Sequence, residues 1–213
     1  MHRLLLLRKA VLLAAVLLVA FAARPGLEQA SAHGAANGMW CTHGAYDAGT
    51  NTRTFSLTTN TGYISLPDGN VVYMWGFSEA SAPFQHPSPV LCVDEGETIT
   101  VIVQNTLGQD VSIMFPGQEN VLANGVPAQP QFDGGGNLTS LTNVAPVGGS
   151  VTYSFVATHP GTFLYQSGTD PDVQVRMGLF GALIVRPADG RYFVYNDAGQ
   201  PVNSEFNHAE GGE

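Results

Sequence analysis

The sequence predicts an all-β fold, a Greek-key β-sandwich, on two observations. From about residue 55 onward, apolar runs of five to seven residues alternate with clusters of Gly, Pro, Asn and Asp. Beyond the first 32 residues, no apolar stripe of helical period interrupts this pattern. Seven or eight short strands within about 130 residues suit two packed sheets. With 44% hydrophobic and 12% charged residues, the chain buries a core and is not a disordered polymer.

The first element is a processing segment. Met1 to Lys9 carries three positive charges, and Ala10 to Ala23 holds no charged or polar side chain. Ala30-Ser31-Ala32 then offers small residues at the positions a signal peptidase reads. As a helix, the apolar run rises only about 21 Å, short of a hydrocarbon core of roughly 30 Å. Residues 1–32 are expected to be a signal peptide, with an uncleaved anchor as the alternative, and the chain to be secreted or periplasmic. Residues 33–54 read as an N-terminal extension, 55–187 as the domain and 188–213 as a polar tail.

Within the domain, Tyr63–Leu66 and Val71–Trp75 flank Pro67-Asp68-Gly69-Asn70, a turn sequence that predicts a hairpin. Val90–Val93 leads through Asp94-Glu95-Gly96-Glu97 into Thr98–Gln104, where Ile99, Val101 and Val103 share one face. The same alternation puts Val151, Tyr153 and Phe155 inward. Thr162–Tyr165 and Gly181–Val185 complete the strands. Pro116–Ser150 is the exception, a connection rich in Gly, Asn, Pro and Gln and too long for a tight turn. It contains Asn137-Leu138-Thr139, which matches a glycosylation sequon.

Charge restricts the partners. The chain has 8 basic and 17 acidic residues, and removing residues 1–32 leaves four arginines, no lysine and a formal charge of −12. Such a surface repels nucleic-acid phosphates and anionic lipid, so neither nucleic acid nor, after signal cleavage, a membrane is expected as partner. Cys41 and Cys92 are the only cysteines, and an oxidising compartment favours joining them.

A family resemblance rests on two ordered segments. Val93-Asp94-Glu95-Gly96-Glu97-Thr98-Ile99-Thr100-Val101 followed by Asn105-Thr106-Leu107 resembles the opening of a plastocyanin-like domain. Pro160-Gly161-Thr162-Phe163-Leu164-Tyr165, then Met177-Gly178-Leu179-Phe180-Gly181-Ala182-Leu183-Ile184-Val185, resembles its close. Together they are similar to the N-terminal domain of the multicopper oxidase and copper nitrite reductase superfamily. The resemblance implies a cupredoxin-like sandwich or barrel over 55–187, with copper as cofactor and oxidoreductase chemistry.

The resemblance also marks where this sequence departs from the family. A His-Trp-His-Gly segment follows the Asn-x-Leu turn in the oxidases; here the matching residues are Met114, Phe115, Pro116 and Gly117. The family's Tyr-His-Ser-His segment, Tyr-His-Cys in the nitrite reductases, is here Tyr165-Gln166-Ser167-Gly168. Further on, Gln174 and Leu179 stand where a nitrite reductase has a second His and an axial Met. Met114, Pro116, Gln166 and Gly168 are therefore vacated copper positions.

Other chemistry has little support. His33 would become the amino-terminal residue after cleavage, able to chelate Cu(II) through its amine and imidazole, with Met39 or His43 nearby. It is the one metal-ligand candidate, and it would suit a copper carrier. His86 and His159 read as loop residues, and the acidic groups at 94–97 and 170–172 as solvated turns. No catalytic residue is expected. The reading is a non-catalytic structural or docking module, partnered by another plastocyanin-like domain or by copies of itself. The alternative is an oxidoreductase whose coppers lie on a partner chain or a missing domain.

Overall fold

The computed structural model describes residues 41–80 and 82–188, together with the backbone of 192–195 and 201–204. The expected signal peptide, His33 and residues 205–213 lie outside the described residues. In chain order the strands are β1 (Ala45–Asp47), β2 (Thr52–Ser65), β3 (Val71–Glu79), β4 (Leu91–Asp94) and β5 (Thr98–Gln104). Next come β6 (Leu122–Ala123), β7 (Val126–Pro127), β8 (Gln131–Phe132), β9 (Leu138–Ser140), β10 (Ser150–Val156) and β11 (Gly161–Gln166). One helix, α1 (Pro171–Met177), precedes β12 (Phe180–Arg186), and a hairpin of β13 (Tyr192–Tyr195) and β14 (Pro201–Ser204) follows.

The larger sheet runs β1-β2-β5-β10-β6-β7, with β3 also paired to β2, and the smaller runs β11-β12-β4. Two parallel neighbours, β2 with β5 and β12 with β4, sit among antiparallel ones, as the long crossings of a Greek key require. The expected alternation holds residue by residue. Ile99, Val101, Val103, Val151, Tyr153 and Phe155 face inward from the larger sheet and are buried. Opposite them, Leu91, Val93, Tyr165, Leu183 and Val185 close the core from the smaller sheet. Ile102, on the other face of β5, is exposed.

The Pro67–Asn70 turn joins β2 to β3 as expected, with Ser65 opposite Val71. Cys41 and Cys92 form a disulfide that pins the start of the described chain to β4, where Thr42 pairs alongside Leu91. Cross-links of this span stabilise by about 2–4 kcal/mol. β1 and the first residues of β2 fall within the segment expected as an N-terminal extension.

Three features refine the expectation. The 116–150 connection is structured: Asn124 and Gly125, both at positive φ, turn β6 into β7, and β6 pairs with β10. An Asn-Gly pair adopts this left-handed turn at little steric cost. The expected absence of helix is also corrected by α1, with Pro171 opening it and Gly178 closing it in the left-handed region. Its seven residues are too few for an apolar stripe to show. Finally, the tail after Ala188 includes the β13–β14 hairpin.

One buried ion pair fastens the two sheets at the end opposite the β2–β3 turn. Arg53 on β2 donates from Nε and Nη2 to both carboxylate oxygens of Glu97, at 2.7 and 2.6 Å. Glu97 also accepts the Asp94 backbone N–H at 3.0 Å. Arg186 on β12 reaches Asp94, with Nε 2.8 Å from Oδ1 but off-axis, and Nη2 donating to Oδ2 at 3.3 Å.

Candidate functional site

The segment 111–116 runs antiparallel to the end of β11, and the two meet through Met114 and Gln166. Met114 N–H donates to the Gln166 carbonyl at 2.7 Å, and Gln166 N–H returns the bond at 3.1 Å. With 114 opposite 166, the register places 112 opposite 168 and 116 opposite 164. Side chains at alternate positions share a face, so Met114, Pro116, Gln166 and Gly168 lie on one side of this ribbon. Three of the expected positions, 114, 166 and 168, come together, and Pro116 sits one pair further along, exposed.

The opposite side of the ribbon is core. Phe115 is buried, with its ring 4.9 Å from that of Phe155 and 5.8 Å from that of Tyr153. Tyr165 is buried against Phe77 and donates its hydroxyl to the Pro89 carbonyl at 2.6 Å. Tyr153 donates to the Asn143 carbonyl at 2.5 Å and accepts from Ile113 N–H at 3.0 Å. Burial raises both phenol pKa values, so both stay neutral donors.

At Gly168 the ribbon is filled by packing and by hydroxyl groups. A Cβ there would lie 2.7 Å from Met114 Cγ and 3.1 Å from its Sδ, so the thioether occupies the room a side chain at 168 would need. Gly168 N–H donates to Ser112 Oγ at 3.1 Å. Thr169 Oγ1 bonds the Ser112 and Ser140 hydroxyls at 2.9 and 3.0 Å, and those two lie 3.2 Å apart. Ser167 donates to Gln174 Oε1 at 2.6 Å, and Gln174 Nε2 donates to the Asp110 carbonyl at 2.9 Å. Gln174 and Leu179 are thus both buried and structural in their contacts. An open groove of about 310 Å³, lined by residues including Ser140, Leu141, Gly168 and Asp170, lies beside the cluster.

This packing makes a stability prediction. Gly168→Ala is expected to cost about 1–3 kcal/mol by overpacking. Part of that cost should disappear in a Met114→Ala background, giving a coupling above about 0.5 kcal/mol. Urea denaturation of the two single variants and the double variant reads it, and strict additivity would show that the two side chains do not compete for one space.

Copper, which the resemblance implies, selects imidazole and thiolate donors. Around this ribbon stand one thioether, one amide oxygen and two residues with no side-chain donor, and these do not fit copper. The described histidines lie elsewhere in sequence: His43 and His159 are exposed, and His86 is half-buried, edge-on to Phe180. Among the described residues no three His, Cys, Asp or Glu side chains converge as a metal cage. The two sulfurs of Cys41 and Cys92 are joined to each other.

Sequence reasoning missed the hydroxyl cluster, because Ser112, Ser140 and Thr169 come from three separate segments with no local pattern. The helix carrying Gln174 did have a signal, a proline at its first position and a glycine just past its end.

Comparison with known proteins adds the following. The profile of the multicopper oxidase family matches residues 67–190, more than half of the chain. The multicopper oxidase VdtB of Byssochlamys spectabilis is 31% identical over 109 residues, covering 50% of this chain and 14% of its own length. Copper resistance protein A of Pseudomonas syringae pv. tomato is 30% identical over 110 residues, 52% of this chain and 16% of that protein. Among solved structures, a multicopper oxidase from Campylobacter jejuni, described as a metallo-oxidase, superposes with a TM-score of 0.51 at 19% identity. That match covers 70% of this chain and 28% of the other. The multicopper oxidase mgLAC gives 0.52 at 26% identity, covering 64% and 39%. The chain spans less than a fifth of the length of these curated relatives.

Proposed function

The chain belongs to the multicopper oxidase family, and from that premise we propose that it is a plastocyanin-like module without the standard copper sites, acting in structure or docking and not in catalysis. The observation that carries this reading is the ribbon face at Met114, Pro116, Gln166 and Gly168. By the family resemblance these residues hold the places of the copper-binding segments, and their side chains supply no imidazole. Packing of Met114 into the space at Gly168 supports it, since the site is filled and not merely emptied. The face is uncharged, and with Leu164 exposed beside Pro116 it suits contact with a second plastocyanin-like domain. The Cys41–Cys92 disulfide supports an exported, secreted or periplasmic location. No described helix is long and apolar enough to cross a membrane.

The length of the relatives favours a second reading, in which catalytic coppers on a partner chain or a further domain make the assembly an oxidoreductase. Oxidase assays on the 213-residue protein supplied with copper separate the two. We expect no turnover of phenols or of reduced metal ions by this chain alone, and activity that tracks copper bound to it would overturn the proposal.

A further inference from the structure

Toward its turn the β2–β3 hairpin leaves the body of the larger sheet. β5 pairs with β2 only over 52–58, whereas β3 follows β2 from 57 to 65. Thr59 is still buried and bonded to Asn105 and Thr106, and Phe84 packs over Gly62. The arm that projects is therefore the end of the hairpin, 63–73, roughly 10 Å long. From Thr54 to Ser78 the only charged residue is Asp68, at the turn. Tyr63, Val71 and Tyr73 are 70%, 61% and 44% exposed, and Leu66 and Val72 are exposed with them. Natural sheets protect such edges with charges, prolines or a covering element. Ser88 and Gly178 lie against Phe77 and Trp75, but at 71–73 the arm's outer strand has none of these among the described residues.

The hydrogen-bond alternation tells which backbone groups are free. Leu66 N–H bonds the Asn70 carbonyl and Ala80 N–H bonds the Ser56 carbonyl, so even-numbered residues of β3 turn their groups toward β2. Odd-numbered ones turn outward, as Phe77 does when its N–H donates to Ser88 Oγ at 3.0 Å. Val71 and Tyr73 also face outward, and no described strand other than β2 pairs with β3.

We propose that two copies of this chain associate through the free edge of β3, pairing antiparallel about a two-fold axis at Val72. This register matches Val71 of each copy with Tyr73 of the other, and all four outward N–H and carbonyl pairs are satisfied. A two-fold contact uses the same patch on both copies, which an antiparallel strand edge supplies by itself. This self-complementarity selects a second copy as the occupant, and the charge pattern confines the contact to the arm. The chain is net acidic, −9 over 213 residues, so most of its surface repels another copy. The arm is a stretch where two copies meet without opposing like charges. Antiparallel pairing also holds the two Asp68 turns roughly 25 Å apart, beyond a Debye length of about 8 Å. Exposed Tyr63 and Tyr73, rings 5.5 Å apart, supply the aromatic contact such interfaces favour.

The test combines mass measurement with cross-linking. The 213-residue protein, after any processing, should sediment as a dimer at micromolar concentration, and Val71→Lys as a monomer with an unchanged melting curve. In the proposed register Val72 faces its own copy across the axis, in a non-hydrogen-bonded pair with Cα atoms about 4.5 Å apart. That falls within the roughly 4.4–6.8 Å a disulfide spans. Both native cysteines are already paired, so Val72→Cys adds a single free thiol that should give a disulfide-linked dimer on a non-reducing gel. A monomeric wild type, a dimer that survives Val71→Lys, or a Val72→Cys protein that does not cross-link under oxidation would each overturn the proposal. The cross-link reads the pairing even if Val71→Lys fails to fold.

Discussion

Glu97→Gln is expected to destabilise the protein by about 3–5 kcal/mol, because it leaves the Arg53 guanidinium buried without its counter-charge. Arg53 is 8% exposed and Glu97 4%, so water screens neither. Substituting both residues, Arg53→Met with Glu97→Leu, should cost less than the single change, since a buried ion pair adds little net stability over well-packed apolar groups. Chemical denaturation of the three proteins measures this. A Glu97→Gln variant within about 1 kcal/mol of wild type would show that the pair is effectively solvated.

The same pair fixes the acid response. Burial alone would raise the Glu97 pKa, but the Arg53 hydrogen bonds and the Asp94 N–H outweigh it and hold the carboxyl below its ordinary value. The unfolded chain then binds this proton more readily than the folded one. Stability from the pair is fully present above the unfolded glutamate value of about 4.3 and is lost as pH falls through the lower folded value. Wild type should therefore lose stability faster than Glu97→Gln over that acid range. Asp47, Asp68 and Asp133 are lowered too, by turn hydrogen bonds, but at fully exposed sites.

Phe115→Ala is the second large effect, expected at about 3–5 kcal/mol. Its ring lies among those of Tyr153, Phe155 and Tyr165, and both flanking residues belong to the ribbon face. At roughly 2–4 °C per kcal/mol for a chain of this size, the melting temperature should fall by on the order of 10 °C. Phe115→Leu, which keeps most of the apolar volume, should cost less. Equal losses in the two variants would mean that the ring contacts, and not the cavity, set the cost.

How far the sequence reveals this molecule depends on whether a feature is local. Period-two alternation in 98–104 and 151–156 places every inward residue correctly, because burial on one sheet face leaves a trace in neighbouring residues. The cysteine pair and the 67–70 hairpin are equally legible. Asn124-Gly125 and Asp170-Pro171 carried turn and helix signals inside a segment and a length that masked them. The expected copper positions were visible only through the family resemblance, since nothing local distinguishes Met114 from an ordinary strand residue. Its packing into the space at Gly168, and the hydroxyls of Ser112, Ser140 and Thr169, arise from residues far apart in sequence. Such contacts exist only once the sheets have closed.

Copper stoichiometry tests the central claim most directly. Purified protein, loaded with excess Cu(II) and Cu(I) and then exchanged into metal-free buffer, should retain far less than one copper per chain by elemental analysis. It should show no copper charge-transfer absorption. One tightly held copper per chain, released by Met114→Ala or Gln166→Ala, would contradict the account and return the ribbon face to the family's chemistry.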